Sequence, residues 1–598
     1  MNKSFDVNLT VQLGEDLGWL EAYCRQQPGR AAEAGRLLLA AALVRNCIGP
    51  YLHDQPARPL HIAVVGGAGT GKSTVVNFLA GSRVAEANPQ AGFTRHPTAF
   101  ASQNGPLRWT AHPGFLGKLR RLEGTHPANV DEDVYQVRPL PAPTAGADLL
   151  SEAVIWDCPD MTTWASEGYL SRLMEIAALA DVLVYVASDE RYNDEAPTQF
   201  LELLLQTGKP VIVCLTKMTE GQVQPMLDHF RDAVLGKLGL GALACLAIPN
   251  LNPAQLADMS GAVARYRIPL LNQVAVVGVP AAEARRRVVR GAADFLRSHS
   301  EPLLAGVRRD MEALGVWQTL VSKGQIDFDT RYRTEYLTSE KFHGFDDALV
   351  RLMELLELPG LGKVVSGTLW VLRTPYRLTK GWLTQALTRP EAPSLPETKV
   401  LNTALDAWLD RLRKEALQRG AEGGLWKHVA EGFQKGLVQA ANDRFERLYR
   451  TFQLSAAQEV QRTAQAIYEE LEKKPALLNT LRGGNLALDV AAIGSALTIG
   501  HLGLHDVILV PLMASIKQQI VELLGRQYVD NQREQIRLRQ QLLVCQYIST
   551  PLADWLAEWP ATGGSTYEHL KTTLTRIPES IEQLDLAVVA AAGRAPAD

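Results

Sequence analysis

The chain has 598 residues, 46% of them hydrophobic and 21% charged, with a formal net charge of −4. That length exceeds what one hydrophobic core supports and predicts about three folding units. The near-neutral balance sets aside wholesale nucleic-acid binding, so no nucleic-acid partner is expected. The six cysteines (Cys24, Cys47, Cys158, Cys214, Cys245 and Cys545) lack CxxC spacing, which argues against both a zinc site and a disulfide framework.

In chain order, MNKSFDVNLT has no apolar h-region, so no export signal is expected. A cytoplasmic protein, or one peripheral at the inner face of a membrane, is the expectation. Leu13, Leu17, Leu20 and Cys24 recur at helical spacing, and Arg30 to Cys47 carries a second apolar stripe. Gly49-Pro50 and the prolines at 56 and 59 then interrupt the chain. Residues 1–55 are therefore read as a helical arm.

The next segment, HIAVVGGAGTGKSTVVNFLAG from His61 to Gly81, is the most informative. An apolar run feeds a glycine-rich turn, then Lys72, Ser73 and the start of an amphipathic helix, with G-x4-G-K-S spacing from Gly66 to Ser73. Gly66, Gly67, Ala68, Gly69, Thr70 and Gly71 make a turn whose successive N–H groups can curl round a phosphate chain, followed by Lys72, Ser73 and Thr74. Lys72 is expected to reach the β and γ phosphates as a point charge, and the Ser73 hydroxyl to ligate Mg²⁺. The helix start adds its positive end to the same anion site.

From 56 to 275 apolar β-type runs alternate with helical ones, the pattern of a parallel sheet with crossover helices. The clearest strands are Ile62–Val65, Ala153–Trp156, Val182–Ala187 and Val211–Leu215. The second ends at Asp157, placed to hold Mg²⁺ through water opposite Ser73. The fourth runs into Thr216-Lys217-Met218-Thr219. There Thr216 is expected to brace the phosphate loop, and Lys217 to lay its aliphatic stem along a purine face.

With those residues in view, the chain resembles the P-loop GTPase superfamily, and more narrowly the dynamin-like GTPases of bacteria. VVGGAGTGKST (Val64 to Thr74) looks like their VVGGxxxGKSS loop, and Phe93-Thr94-Arg95-His96-Pro97 is similar to their switch string T-R-x-P. The resemblance implies that Thr94 ligates Mg²⁺ and helps position the attacking water, with Thr98 as a second candidate. It implies GTP and Mg²⁺ as ligands and GTP hydrolysis as the reaction, with Lys72, Thr94 and Asp157 as its catalytic residues. A peripheral lipid contact and a nucleotide-dependent homodimer come with it. Arg95, beside Thr94, is either an internal arginine finger or a solvated switch residue.

Three features depart from the family pattern. Asp160 stands where D-x-P-G has its glycine. Thr219 replaces the aspartate of T-K-x-D that accepts two guanine protons, with Glu220 one residue on as a substitute. Ala68 and Gly69 occupy the places of a glutamine–serine pair that orders the catalytic water. Slow or partner-stimulated turnover follows from the last. Two rival readings stay open: a regulatory switch with negligible turnover, and an ATP-using P-loop protein permitted by Thr219.

Beyond 275, strand patterns give way to long helical ones, such as Leu401, Leu405, Trp408 and Leu412, so 276–598 is read as a large all-α domain. Its most apolar stretch, Leu486 to Ile516, has two arms of about 15 residues, roughly 22 Å each as helix, short of the ~30 Å hydrocarbon thickness. It reads either as a helical hairpin dipping into one leaflet or as a buried helix pair. Leu358 to Leu383 interleaves Trp370, Tyr376 and Trp382 with Lys363, Arg373, Arg377 and Lys380, which suits an anionic lipid surface or an inter-domain helix with snorkelling cations. The fold class expected overall is an α/β P-loop domain with a mostly parallel sheet, followed by a large helical domain containing an apolar hairpin.

Overall fold

The computed structural model of the chain describes residues 3–27, 29–53, 58–86, 95–102, 107–110, 115–123, 129, 132–141, 153–160, 167–188, 195–236, 243–252, 255, 261, 263–356, 396–483, 516–560 and 567–593. Thr94, the basic–aromatic segment Leu358 to Leu383, and the apolar stretch from Leu486 up to position 515 lie outside these residues. No described helix is long and apolar enough to cross a membrane. The chain divides into two compact units, Met1–Arg309 together with Gly563–Asp598, and Asp310–Thr562.

The first unit is built on an eight-stranded sheet. Its strands are β1 (His61–Gly66), β2 (Thr98–Ser102), β3 (Arg120–Arg121), β4 (Val134–Leu140), β5 (Val154–Asp157), β6 (Val182–Ser188), β7 (Val211–Thr216) and β8 (Ala244–Ile248). They lie in the order β3-β4-β2-β5-β1-β6-β7-β8, every neighbouring pair parallel except β2 with β5. The four central strands β5, β1, β6 and β7 are buried at every position, which is why they read as continuous apolar runs rather than alternating ones.

Alternation along these strands sends Ile62, Val64, Ile155, Val182, Val184, Ile212 and Cys214 to one face. There they pack on Val75, Val76, Phe78 and Leu79 of helix Lys72–Ala80 and on Leu270, Leu271 and Val274 of helix Ala264–Gly278. Helices Ala31–Leu43 and Glu167–Leu179 pack against each other, and Glu167–Leu179 also meets β1. Helix Lys3–Arg25 packs on Ala31–Leu43 and on Tyr567–Ala592. Arg576 donates from Nε and Nη2 to the two oxygens of Asp16, at 2.6 and 2.5 Å. Trp19 meets His569 edge-on at 4.2 Å between ring centres.

Buried charge fixes the sheet end opposite the phosphate loop. Lys209 donates to the carbonyls of Ala178 and Ala180 (2.9 and 2.6 Å), and Arg58 to those of Leu179 and Asn46. These cations satisfy the carbonyl end of helix Glu167–Leu179, where its dipole is negative. Asp181 accepts from the His61 amide at 2.9 Å and lies 3.6 Å from Arg285. Trp156 Nε1 donates to His61 Nδ1 at 3.1 Å, and burial among these cations holds the imidazole well below its ordinary pKa, so it stays neutral.

The second unit is all-helical among its described residues. Helix Ala281–Arg331 contributes its residues from Asp310 onward, joined by Gly344–Leu355, Pro396–Arg419, Gly424–Gln434, Leu437–Glu472, Arg526–Val544 and Thr550–Glu558. Polar ties lock its core: Trp317 Nε1 donates to the Leu556 carbonyl at 2.7 Å, and Asp310 accepts from the Leu425 amide at 3.1 Å. Glu397 collects the Tyr332 hydroxyl and the Gln540 amide at 2.8 and 2.7 Å. The sheet with flanking helices and the large helical remainder are the fold class that the sequence predicts.

Candidate functional site

The phosphate loop leaves β1, which lies between β5 and β6, at its carboxyl end. Open α/β sheets bind ligands at that end, where the crossover direction reverses. Gly66 cannot carry a side chain, since a Cβ there would sit 2.2 Å from the Val186 carbonyl of β6. Gly71, at φ 90°, is the left-handed residue that turns the chain into helix Lys72–Ala80. Thr70 is buried and donates from its hydroxyl to the Gly67 carbonyl at 3.0 Å. Lys72 Nζ donates to the same carbonyl at 2.8 Å and pairs with the Asp160 carboxylate. Ala68 is buried, while Gly69, Ser73 and Thr74 are partly exposed.

Ser73 and Asp157, separated by 84 positions, meet across the loop: the serine hydroxyl donates to Asp157 Oδ2 at 2.9 Å. Asp157 Oδ1 is buried and has no hydrogen-bond partner among the described residues. Burial pushes the Asp157 carboxyl up to about 6, against the opposing pull of the Lys72 ammonium and the Ser73 hydroxyl. A hydroxyl beside a carboxylate with an unused oxygen is a hard-oxygen donor set, and it fits Mg²⁺. Thr98 lies in β2, in register with Asp157.

Asn77 and Arg172 hold described residues on either side of positions 87–94. Asn77 Oδ1 accepts from the Val84 and Ala85 amides, both at 2.8 Å. Arg172, 1% exposed, donates to the Arg95 carbonyl and to Asp133, both at 3.1 Å. Arg95 itself is exposed. No local pattern marks Arg172, because its partners come from two other loops.

At the end of β7, the Thr216 hydroxyl donates to the Thr70 carbonyl at 2.5 Å and so ties β7 to the phosphate loop. Lys217 follows at φ 64°, a left-handed conformation rare for a lysine and a mark of local strain. Its ammonium lies 3.9 Å from the point where a Cβ on Gly69 would stand, over the loop. Thr219 caps the next turn: its amide and hydroxyl both donate to Gln222 Oε1, at 2.9 and 2.7 Å. Glu220 is taken up by Arg265 and by the Tyr266 hydroxyl at 3.0 Å. Asn250, after β8, donates from its amide to the Met218 carbonyl at 2.7 Å and from its side chain to the Lys217 carbonyl at 3.4 Å. It ties the end of β8 to the residues that follow β7, and the sequence carries no motif for it.

The family model of the 50S ribosome-binding GTPase matches residues 61–217, which run from the start of β1 to Lys217. Those residues are a P-loop GTPase domain. No curated protein matches the chain. Among solved structures it is similar to Era in complex with MgGDPNP and nucleotides 1506–1542 of 16S ribosomal RNA, at 17% identity over 35% of this chain and 57% of that one (TM-score 0.22). An Aquifex aeolicus Era bound to GDP and aluminium fluoride matches at 18% identity over 31% of this chain and 50% of that one (TM-score 0.20). The chain thus spans little more than half the length of these Era chains. A member of an oligomerised bacterial dynamin pair, described as sensing and tethering membranes, matches at 11% identity over 99% of this chain and 95% of that one (TM-score 0.27).

The Era complex corrects one expectation. The formal charge argued against a nucleic-acid partner, yet a structure similar to this chain holds RNA. Net charge is a sum over the whole surface, whereas RNA contact depends on local cations, so a total of −4 does not exclude it.

Proposed function

We propose that the chain is a dynamin-like GTPase that binds GTP with Mg²⁺ at Gly66–Thr74, hydrolyses it slowly, and acts as a conformational switch or mechanochemical element at a membrane or partner. The observation that carries this reading is the meeting of Ser73 and Asp157 at 2.9 Å beside a glycine turn closed on Lys72. In this reading 56–275 is the nucleotide domain, 1–55 its helical arm, and 276–598 the helical part, of which Asp310–Thr562 is a compact unit of its own. Cytoplasmic residence, peripheral at a membrane, goes with it; the cysteines of the described structure are all free thiols, in keeping with a reducing compartment.

Ser73 and Thr94 would hold Mg²⁺ directly and Asp157 through water, while the loop amides and Lys72 hold the phosphates. Bound Mg²⁺ supplies neutralisation of charge on the phosphoryl oxygens. Catalysis by the protein is then positioning: Lys72 fixes the phosphate chain, Thr216 keeps the loop rigid, and Thr94 orients the attacking water. With Ala68 and Gly69 in the loop, no side chain there orders that water, which supports slow turnover.

Single-turnover assays with GTP, with and without liposomes, test this reading. Magnesium-dependent phosphate release, faster with liposomes, is the expected result. Absence of GTP binding would remove the proposal, and binding without release under either condition would favour the regulatory switch.

Thr219 supports keeping the ATP-using reading in view, because its hydroxyl is committed to Gln222 and it brings no carboxylate to a purine. Thr219→Asp is expected to raise the GTP-to-ATP affinity ratio about tenfold, by restoring a charge-assisted acceptor. An aspartate cannot donate to Gln222 Oε1 as the Thr219 hydroxyl does, but it caps a helix start by accepting N–H groups, and Gln222 can turn its side-chain NH2 toward it. Competition binding measures the ratio; no change would mean that the base is read elsewhere, with Asn250 the nearest candidate.

A further inference from the structure

Asp160 stands three residues beyond Asp157, where the resembled GTPases carry a glycine. Its carboxylate reaches Lys72 across 88 positions of sequence. The two side chains are only 7% and 4% exposed, so this is an interior pair rather than a solvated surface contact. Lys72 Nζ has three protons to give. One goes to the Gly67 carbonyl at 2.8 Å and one to Asp160, which leaves a single donor and a neutralised charge. A glycine would leave that ammonium free for phosphate oxygens; here a carboxylate already plays the part of a terminal phosphate.

We infer that Asp160 sets nucleotide choice by phosphate number, disfavouring a terminal γ-phosphate and favouring the diphosphate. The inference rests on the nucleotide reading above and adds a specificity-determining residue to it. A triphosphate brings a second anion to contend for Lys72 in a site shielded from water, where like charges repel strongly and one must leave. A diphosphate brings one phosphoryl group fewer to that contest. Triphosphate binding therefore requires the carboxylate to part from Lys72, which ties the presence of the γ-phosphate to movement of the chain around Asp160.

Equilibrium binding of fluorescent GDP and of a non-hydrolysable GTP analogue to the full chain, with Mg²⁺, tests this. The wild type is expected to bind the diphosphate more tightly; a preference for the triphosphate would overturn the inference without any variant. Asp160→Asn removes the charge at constant shape, and Asp160→Gly restores the residue of the resembled motif. Each is expected to raise the triphosphate-to-diphosphate affinity ratio about tenfold, mainly through the triphosphate. A ratio that stays or falls in a variant with the wild-type melting profile sinks the inference and leaves the nucleotide site standing. If neither nucleotide binds the wild type or either variant, the underlying reading fails and takes the inference with it.

Discussion

Lys72→Ala is expected to lower nucleotide affinity about a hundredfold or more, and to destabilise the protein by about 3–5 kcal/mol. The two losses have different origins. The first is removal of a cation that the phosphate loop turns in upon itself, held at 2.8 Å from the Gly67 carbonyl. The second arises because the substitution strips Asp160 of this cation while leaving its carboxylate buried. A binding assay on the single variant would confuse unfolding with loss of the site. The double variant Lys72→Ala/Asp160→Asn separates them, since it removes both charges of the pair together. It should recover most of the stability in chemical denaturation and none of the affinity in titration. A double variant that binds nucleotide like the wild type would show that the phosphates are held somewhere else.

How much of this was legible before folding depended on whether a signal was local. The strands β1, β5, β6 and β7 were readable because burial on both faces makes each an unbroken apolar run. β8 was not, since four of its five residues are only half-buried, and β3 is an exposed Arg120–Arg121 pair. The antiparallel seating of β2 against β5 leaves no mark in composition, because pairing direction is set by the connection. Helical periodicity showed the apolar face of Lys3–Arg25, but not that it packs on Tyr567–Ala592 from the opposite end of the chain.

The site divides in the same way. Lys72, Ser73, Asp157 and Thr216 are announced by short motifs at strand ends. The union of Lys72 with Asp160 is not, because it requires two loops to approach. Thr219 was readable twice over. Read as a base motif it is a defect, whereas Thr219 with Gln222 three residues on is a capping box, and the structure forms that box. The residue type was informative, and the choice of frame decided what it said.

Asp157→Asn is expected to stabilise the protein in the absence of nucleotide while abolishing its use of Mg²⁺. Burial lifts the Asp157 carboxyl to about 6 from a reference of 3.8. A folded-state pKa above the unfolded one means that the fold holds this proton more tightly than the open chain does. The stability it contributes is fully present below about pH 4 and is lost as pH rises through about 6. By pH 8 the ionised group costs roughly 3 kcal/mol relative to its protonated form. Asparagine cannot ionise and still accepts the Ser73 hydroxyl, so it escapes that cost. Melting curves of wild type and variant should coincide near pH 4 and separate as pH rises, with the variant higher. Curves that run parallel across the range would mean that burial does not penalise this carboxylate. Adding MgGTP at pH 8 should reverse the order, because a divalent cation nearby favours the charged form that burial disfavours. The wild type then gains from ligand what the variant cannot, and its apparent Mg²⁺ affinity should weaken below about pH 6 as protons compete for the same carboxylate. A carboxylate kept at a cost to the fold and repaid only by a cation is what a metal-assisted phosphate site requires of its architecture.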